Sequence, residues 1–124
     1  MALVAANAGE TWWLSERIGD AMLFAPSLLL TEVDSALRGL ELGRKLTTQQ
    51  AAASRWHASR LPIEFWPSEA TADRAWELRA DLTIYDASYV ALGERLGAVL
   101  LTGDRRIANA GVARCPIEVV ALGR

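Results

Sequence analysis

The stretch IYDASYVALGERLGAVLLTGDRR, from Ile84 to Arg106, decides how this chain is read. Asp86 opens a helical pattern in which Tyr89, Val90, Gly93 and Leu96 recur at steps of three and four residues. Gly97 ends that pattern, because glycine takes the left-handed conformation of a helix terminus without steric penalty. Val99 to Leu101 follow as a short apolar run bounded by turn residues, the signature of a buried strand. Asp104 then falls just beyond the carboxyl end of that strand. The two aspartates stand at opposite ends of a helix–strand unit, so both reach one end of a sheet. In open α/β sheets ligands bind at that edge.

Composition narrows the class. A chain of 124 residues, 52% of them hydrophobic, makes a single domain over residues 1–124 that buries about two-thirds of its unfolded surface. The formal net charge of −2 offers no general attraction to phosphate, so nucleic-acid binding would have to come from local arginines or from metal held by carboxylates. Cys115 is the only cysteine, which excludes an intrachain disulfide and a thiolate zinc cluster and fits a reducing compartment. The apolar run Met22 to Leu30 is interrupted by Pro26 and Ser27 and is too short to cross a bilayer. The N-terminus lacks the basic start and apolar centre of a signal peptide, and a soluble cytoplasmic domain is expected.

Along the chain, helices are expected over Glu10 to Ile18, from Pro26-Ser27 to about Leu42-Gly43, from the capping box Thr47-x-x-Gln50 to Ser59, from Glu69 to Ala80 with Ser68 as cap, over Thr83 to Gly97, and over Asp104 to Asn109. Strands are expected over Ala21 to Ala25, Leu61 to Trp66, Val99 to Thr102 and Ile117 to Ala121. Strands alternating with helices imply an α/β domain with a parallel sheet covered on both faces. There is no internal repeat or linker.

Acids must carry any chemistry. His57, the only histidine, sits in a polar helix and reads as solvated surface, and no serine has a base to activate it. No glycine-rich phosphate loop is present; Gly39 and Gly43 fall at a helix end, and Gly93 and Gly97 serve close packing and a helix stop. Glu32, Asp86 and Asp104 remain. Each has a structural account when taken alone. Glu32 borders the apolar stripe Leu29, Val33, Ala36, Leu37 and Leu40, where an acid near a helix N-terminus gains about 0.3–1 kcal/mol from the macrodipole. Asp86 completes a capping-box pattern with Thr83, and Asp104 can cap the helix after it. Together they read differently. Three carboxylates converging at about 5 Å would repel pairwise by about 3 kcal/mol at an effective dielectric near 20, which calls for a cation. Oxygen ligands suit magnesium or manganese, and such ions assist phosphodiester cleavage by acidifying water and steadying the in-line displacement.

The segments Tyr85-Asp86-Ala87, Tyr89-Val90-Ala91-Leu92 and Leu100-Leu101-Thr102-Gly103-Asp104-Arg105-Arg106, with Ala25-Pro26-Ser27-Leu28-Leu29-Leu30-Thr31-Glu32-Val33 and Ala36-Leu37-Arg38, resemble a PIN domain of the VapC toxin type, the ribonuclease half of bacterial toxin–antitoxin pairs. The similarity runs from about Leu3 to Val120. It implies a three-layer α/β/α sandwich with Glu32, Asp86 and Asp104 as catalytic, metal-binding acids for Mg2+ or Mn2+. It further implies structured RNA such as tRNA or rRNA as substrate, a small VapB-like antitoxin bound across the site, and Thr102 as a small hydroxyl residue near the metal; a purely structural role at the strand end is an equal reading for Thr102.

Two departures qualify the resemblance. Where the family has a small residue and then Asn after Glu-Val, this chain has Asp34 and Ser35; Asp34 lies about 200° around the helix from Glu32 and reads as a solvated acid. The family also begins with a central strand ending in Asp, and Met1-Ala2-Leu3-Val4 matches only the residues after that aspartate, so the first strand and first acid are expected to be absent, the domain being N-terminally truncated. Arg38, Arg105 and Arg106 are candidates for RNA contact, with Arg44 and Lys45 behind them; ordinary solvated charge is an equal reading. Trp13 and Trp76 are expected in the core, and one of Trp12 and Trp13 at a dimer or antitoxin contact. The expected protein is thus a homodimeric, metal-dependent endoribonuclease toxin; the alternative is a catalytically silent PIN-like module that docks antitoxin or RNA without cleavage.

Overall fold

In the computed structural model of the protein, the backbone of residues 2–6 and all of residues 22–120 are described. The expected helix over residues 10–18, Trp12, Trp13 and the last residue of the final expected strand lie outside the described residues. Strand β1 is Ala2–Ala6 and β2 is Met22–Pro26. Helices α1 (Leu28–Leu42) and α2 (Thr48–Ser59) lead to β3 (Ile63–Trp66). Helices α3 (Ala72–Glu77) and α4 (Ile84–Leu96) precede β4 (Val99–Thr102), and α5 (Arg105–Asn109) precedes β5 (Ile117–Val119).

Among the described residues the strands form one sheet in the order β3-β2-β1-β4-β5. The β2–β3 and β4–β5 pairs are parallel, as alternating strands and helices predict. The middle is different. β1 lies between β2 and β4 and runs antiparallel to both, with Val4 opposite Phe24 on one side and Ala2 opposite Thr102 on the other. The expectation of a parallel sheet with its centre missing is corrected to that extent: inner strand edges demand backbone partners, and the Ala2–Ala6 segment supplies them in the reverse direction. The rest of the expected α/β sandwich holds. Leu23 to Pro26 are buried in succession, as are Leu100 to Thr102, the mark of strands covered on both faces.

Most helix boundaries follow their local chemistry. Thr47 and Gln50 make both halves of the capping box that starts α2. Gly97 closes α4 with φ at 60°. At the end of α1 the left-handed residue is Arg44, with φ at 59°, and not Gly43, at −78°. The expected helix from Glu69 to Ala80 is broken into a 3-10 turn, Ser68–Ala70, and the short α3, because buried Thr71 takes a non-helical φ of −129° and bonds its hydroxyl back to the Ser68 carbonyl.

The core is built around α4. Its middle, Ala87 and Tyr89 to Gly93, is buried almost all round, since α4 packs against β1, β2 and β4 on one side and α3 on the other. Gly93 allows close approach of Cys115, whose Sγ would lie 3.0 Å from an added Cβ. By contrast α1 buries only Leu29, and Ala36 and Leu40 of its expected apolar stripe face solvent. Trp76 is 60% exposed, not core: α3 turns Ala75 inward and leaves the indole beneath the Arg79 guanidinium, 4.3 Å from the ring centre. Asp34 is exposed but not free; it pairs with Arg55 at 2.7 Å and links α1 to α2. His57 is exposed beside Trp56, as expected.

Candidate active site

Because β2 and β4 both run opposite to β1, they are parallel to each other and end at one edge of the sheet, at Pro26 and Thr102. α4 feeds directly into β4 through the Gly97 turn, which returns its first turn to that same edge. The three acids are carried by the segments that meet there. Glu32 is in the second turn of α1, Asp86 in the first turn of α4, and Asp104 caps α5.

Each acid is held in a different way. The macrodipole account of Glu32 is weakened by its place beyond the first turn, where that effect fades. Its actual partner comes from across the fold: the Tyr89 hydroxyl donates to Glu32 Oε1 at 2.5 Å. Burial, then the bond and charge of Glu32 and the charge of Asp86, push the Tyr89 phenol far above its ordinary value, so it stays a donor. At Asp86 only half a capping box forms. Thr83 Oγ1 accepts from the Asp86 backbone N–H at 3.1 Å, but among the described residues nothing donates to the Asp86 carboxylate. Asp104 accepts from the Arg106 backbone N–H at 2.9 Å and from its guanidinium through Nε at 3.0 Å and Nη2 at 2.7 Å. Those bonds pull the Asp104 carboxyl down to about 2. Thr102, buried, accepts from the Asp104 backbone N–H at 3.0 Å through Oγ1 and shapes the turn that carries it.

Asp86 acts on both neighbours: its charge raises the Tyr89 phenol on one side and the Arg106 guanidinium on the other, each behind that group's own direct partner. Among the described residues no three His, Cys, Asp or Glu side chains stand close enough to cage a metal ion, and the positive charge at Asp104 is the guanidinium of Arg106. Arg38 and Arg105 are exposed and make no hydrogen bond or ion pair among the described residues. The part played by Tyr89 was not visible in sequence reasoning that counted it only as a helix-face residue; its three-residue step from Asp86 was the available signal.

The chain matches the PIN domain family over residues 5–113. Ribonuclease VapC9 of Mycobacterium tuberculosis is 40% identical over 98 residues, covering 79% of this chain and 77% of that protein. Ribonuclease VapC1 of the same organism is 40% identical over 97 residues, 77% of this chain and 73% of that one. Ribonuclease VapC12, also from Mycobacterium tuberculosis, is 31% identical over 108 residues, 87% and 84% of the two chains. The similarity spans β2 through α5, the segments that bring the acids to one edge, and the chain belongs to the PIN domain family, in its VapC type.

Proposed function

We propose that this protein is a metal-dependent endoribonuclease, the toxin of a toxin–antitoxin pair, with Glu32, Asp86 and Asp104 as its catalytic, metal-binding acids. The observation that carries the reading is the Asp86 carboxylate, which has no donor among the described residues and whose charge is felt by Tyr89, the partner of Glu32, and by Arg106, the partner of Asp104. The oxygens of this partly buried carboxylate are therefore open to a ligand from outside the described residues.

The donor types suit a hard divalent cation, Mg2+ or Mn2+, which one or two carboxylates and waters hold without the three-acid cage that is absent among the described residues: all three groups are carboxylates, Glu32 Oε2 has no hydrogen bond among the described residues, and Asp104 is ionised and paired with Arg106. Held there, such an ion would supply an acidified water and positive charge for in-line displacement at phosphorus. The chain's own residues prepare that chemistry. Thr102 sets the Asp104 turn, Tyr89 holds Glu32, and Arg106 pairs with Asp104. Arg38 and Arg105, exposed and unpaired among the described residues, are suited to the phosphates of structured RNA such as tRNA or rRNA, and Arg106, exposed beside Asp104, is a third candidate. A VapB-like antitoxin would cover the acids with a basic side chain and lay apolar side chains on Leu30, Leu40 and Leu42, which α1 leaves exposed. The VapC naming of the relatives supports that partner, and a cytoplasmic setting and a homodimer are part of the same proposal. Among the described residues no helix is long and apolar enough to cross a membrane.

One observation favours the second reading, a silent binding module: the central strand, Ala-Leu-Val-Ala-Ala, contributes no carboxylate, and Arg106 occupies Asp104. Cleavage of tRNA or rRNA with Mg2+ by the parent, Asp86→Asn and Asp104→Asn proteins decides between them. Parental cleavage with both variants below about one hundredth of it supports the enzyme, since a metal-site group supplies several kcal/mol. A variant that cleaves at the parental rate overturns the site, and a folded parent that binds RNA without cutting it establishes the silent module.

A further inference from the structure

Of the three acids, Glu32 has the least local support. Asp86 and Asp104 have one methylene each and sit at helix starts fixed by Thr83 and by the Arg106 backbone N–H. Glu32 has a longer side chain and sits on α1, which buries only Leu29. Left alone, its carboxylate would sample several rotamers, and ordering it would weaken any ligand that required it. What holds it is the Tyr89 hydroxyl, from a residue 57 positions away that is 2% exposed and anchored in the core around α4. At 2.5 Å this is a short, charge-assisted bond. The ring of Tyr89 fills core space that phenylalanine would fill equally; the hydroxyl is the part with no packing role.

We propose that Tyr89 is a positioning residue for metal binding, its hydroxyl engaging Glu32 Oε1 and so restricting the carboxylate that would help hold the divalent ion. The inference rests on the reading of Glu32 as a metal ligand. Groups that orient metal ligands in this way commonly change affinity by 10–100-fold when removed.

The test is Mn2+ binding, measured by calorimetric titration of the full chain and its Tyr89→Phe, Glu32→Ala and doubly substituted forms, with circular dichroism as the check of fold. The expected result is Mn2+ affinity weakened about 10–100-fold by Tyr89→Phe, and a double variant no weaker than Glu32→Ala alone. A purely structural clamp between α1 and α4 would instead lower the melting temperature and leave Mn2+ affinity unchanged, which overturns the proposal. So does an equal loss with and without Glu32. A Glu32→Ala protein that binds Mn2+ like the parent, or a parent that binds none, removes the metal reading itself and this inference with it. Should Tyr89→Phe fail to fold, Glu32→Asp tests the same tether from the exposed side: one methylene shorter, it keeps the charge but loses the hydroxyl, and parental Mn2+ affinity in that variant overturns the proposal.

Discussion

The two ends of α4 each carry a carboxylate, and the fold treats them in opposite ways. Near the C-terminal end Glu94, 12% exposed, accepts from Arg74 Nε at 2.7 Å and Nη2 at 3.2 Å and from the Arg114 backbone N–H at 2.8 Å. Near the N-terminal end Asp86 accepts from nothing among the described residues. Glu94 ties α3, α4 and the segment before β5 together. It is satisfied, and its role is complete within the chain. Asp86 is placed by its backbone bond to Thr83, and its carboxylate has no donor among the described residues, so its oxygens are available to a ligand. An acid on a helix is therefore weighed by whether its oxygens are already taken, and not by its burial alone.

The largest effect expected from this contrast is in activity. Asp86→Asn should reduce RNA cleavage below about one hundredth of the parent while leaving the melting temperature nearly unchanged, whereas Glu94→Gln should retain cleavage per folded molecule. If Glu94→Gln abolishes cleavage in a folded protein, the division between the two ends fails.

Next comes stability. Glu94→Gln leaves the half-buried Arg74 with only the exposed carboxylate of Glu77 as an anionic partner, 3.1 Å away, and should destabilise the fold by about 1–3 kcal/mol, read from denaturant unfolding. The pH dependence has a definite sign. Burial pushes the Glu94 carboxyl up, but the bonds from Arg74 and the Arg114 backbone outweigh it and hold the group below its ordinary value. Its stabilisation is present above the ordinary carboxylate pKa, about 4.3, and is lost as pH falls through the depressed folded value. The melting-temperature gap between parent and Glu94→Gln should narrow from about pH 6 to about pH 3; a gap that widens in acid refutes the assignment.

A smaller effect is expected at the helix end itself. Gly97 has φ at 60° and nothing within 4 Å of an added Cβ, so Gly97→Ala tests backbone strain alone and should cost about 1 kcal/mol. The smallest concerns Arg106, whose side chain is 88% exposed. Arg106→Ala should leave the melting temperature unmoved, because exposed pairs contribute little, yet tighten Mn2+ binding by releasing the Asp104 oxygens. Weaker Mn2+ binding in that variant would show that the guanidinium supports the site instead of competing for it.

The sequence by itself determined what depends on neighbours along the chain. The Thr47–Gln50 capping box, the Gly97 terminus, the β4 run, Asp104 as a cap and the parallel outer pairs all rest on contacts within a few residues or on a strand–helix alternation, and each appears as its pattern predicts. Tertiary structure alone decided the rest. The reversed β1 follows from the hydrogen-bonding needs of the strands on either side of it, β2 next in the chain and β4 far from it, and the break at Thr71 and the exposure of Trp76 follow from how α3 meets α4. Glu32 joins Tyr89 across 57 positions, a pairing that no periodicity encodes because it exists only once α1 and α4 have both docked at the sheet's edge. Local patterns set which acids were candidates; which of them were bonded, and to what, was set by the packing that brought distant segments together.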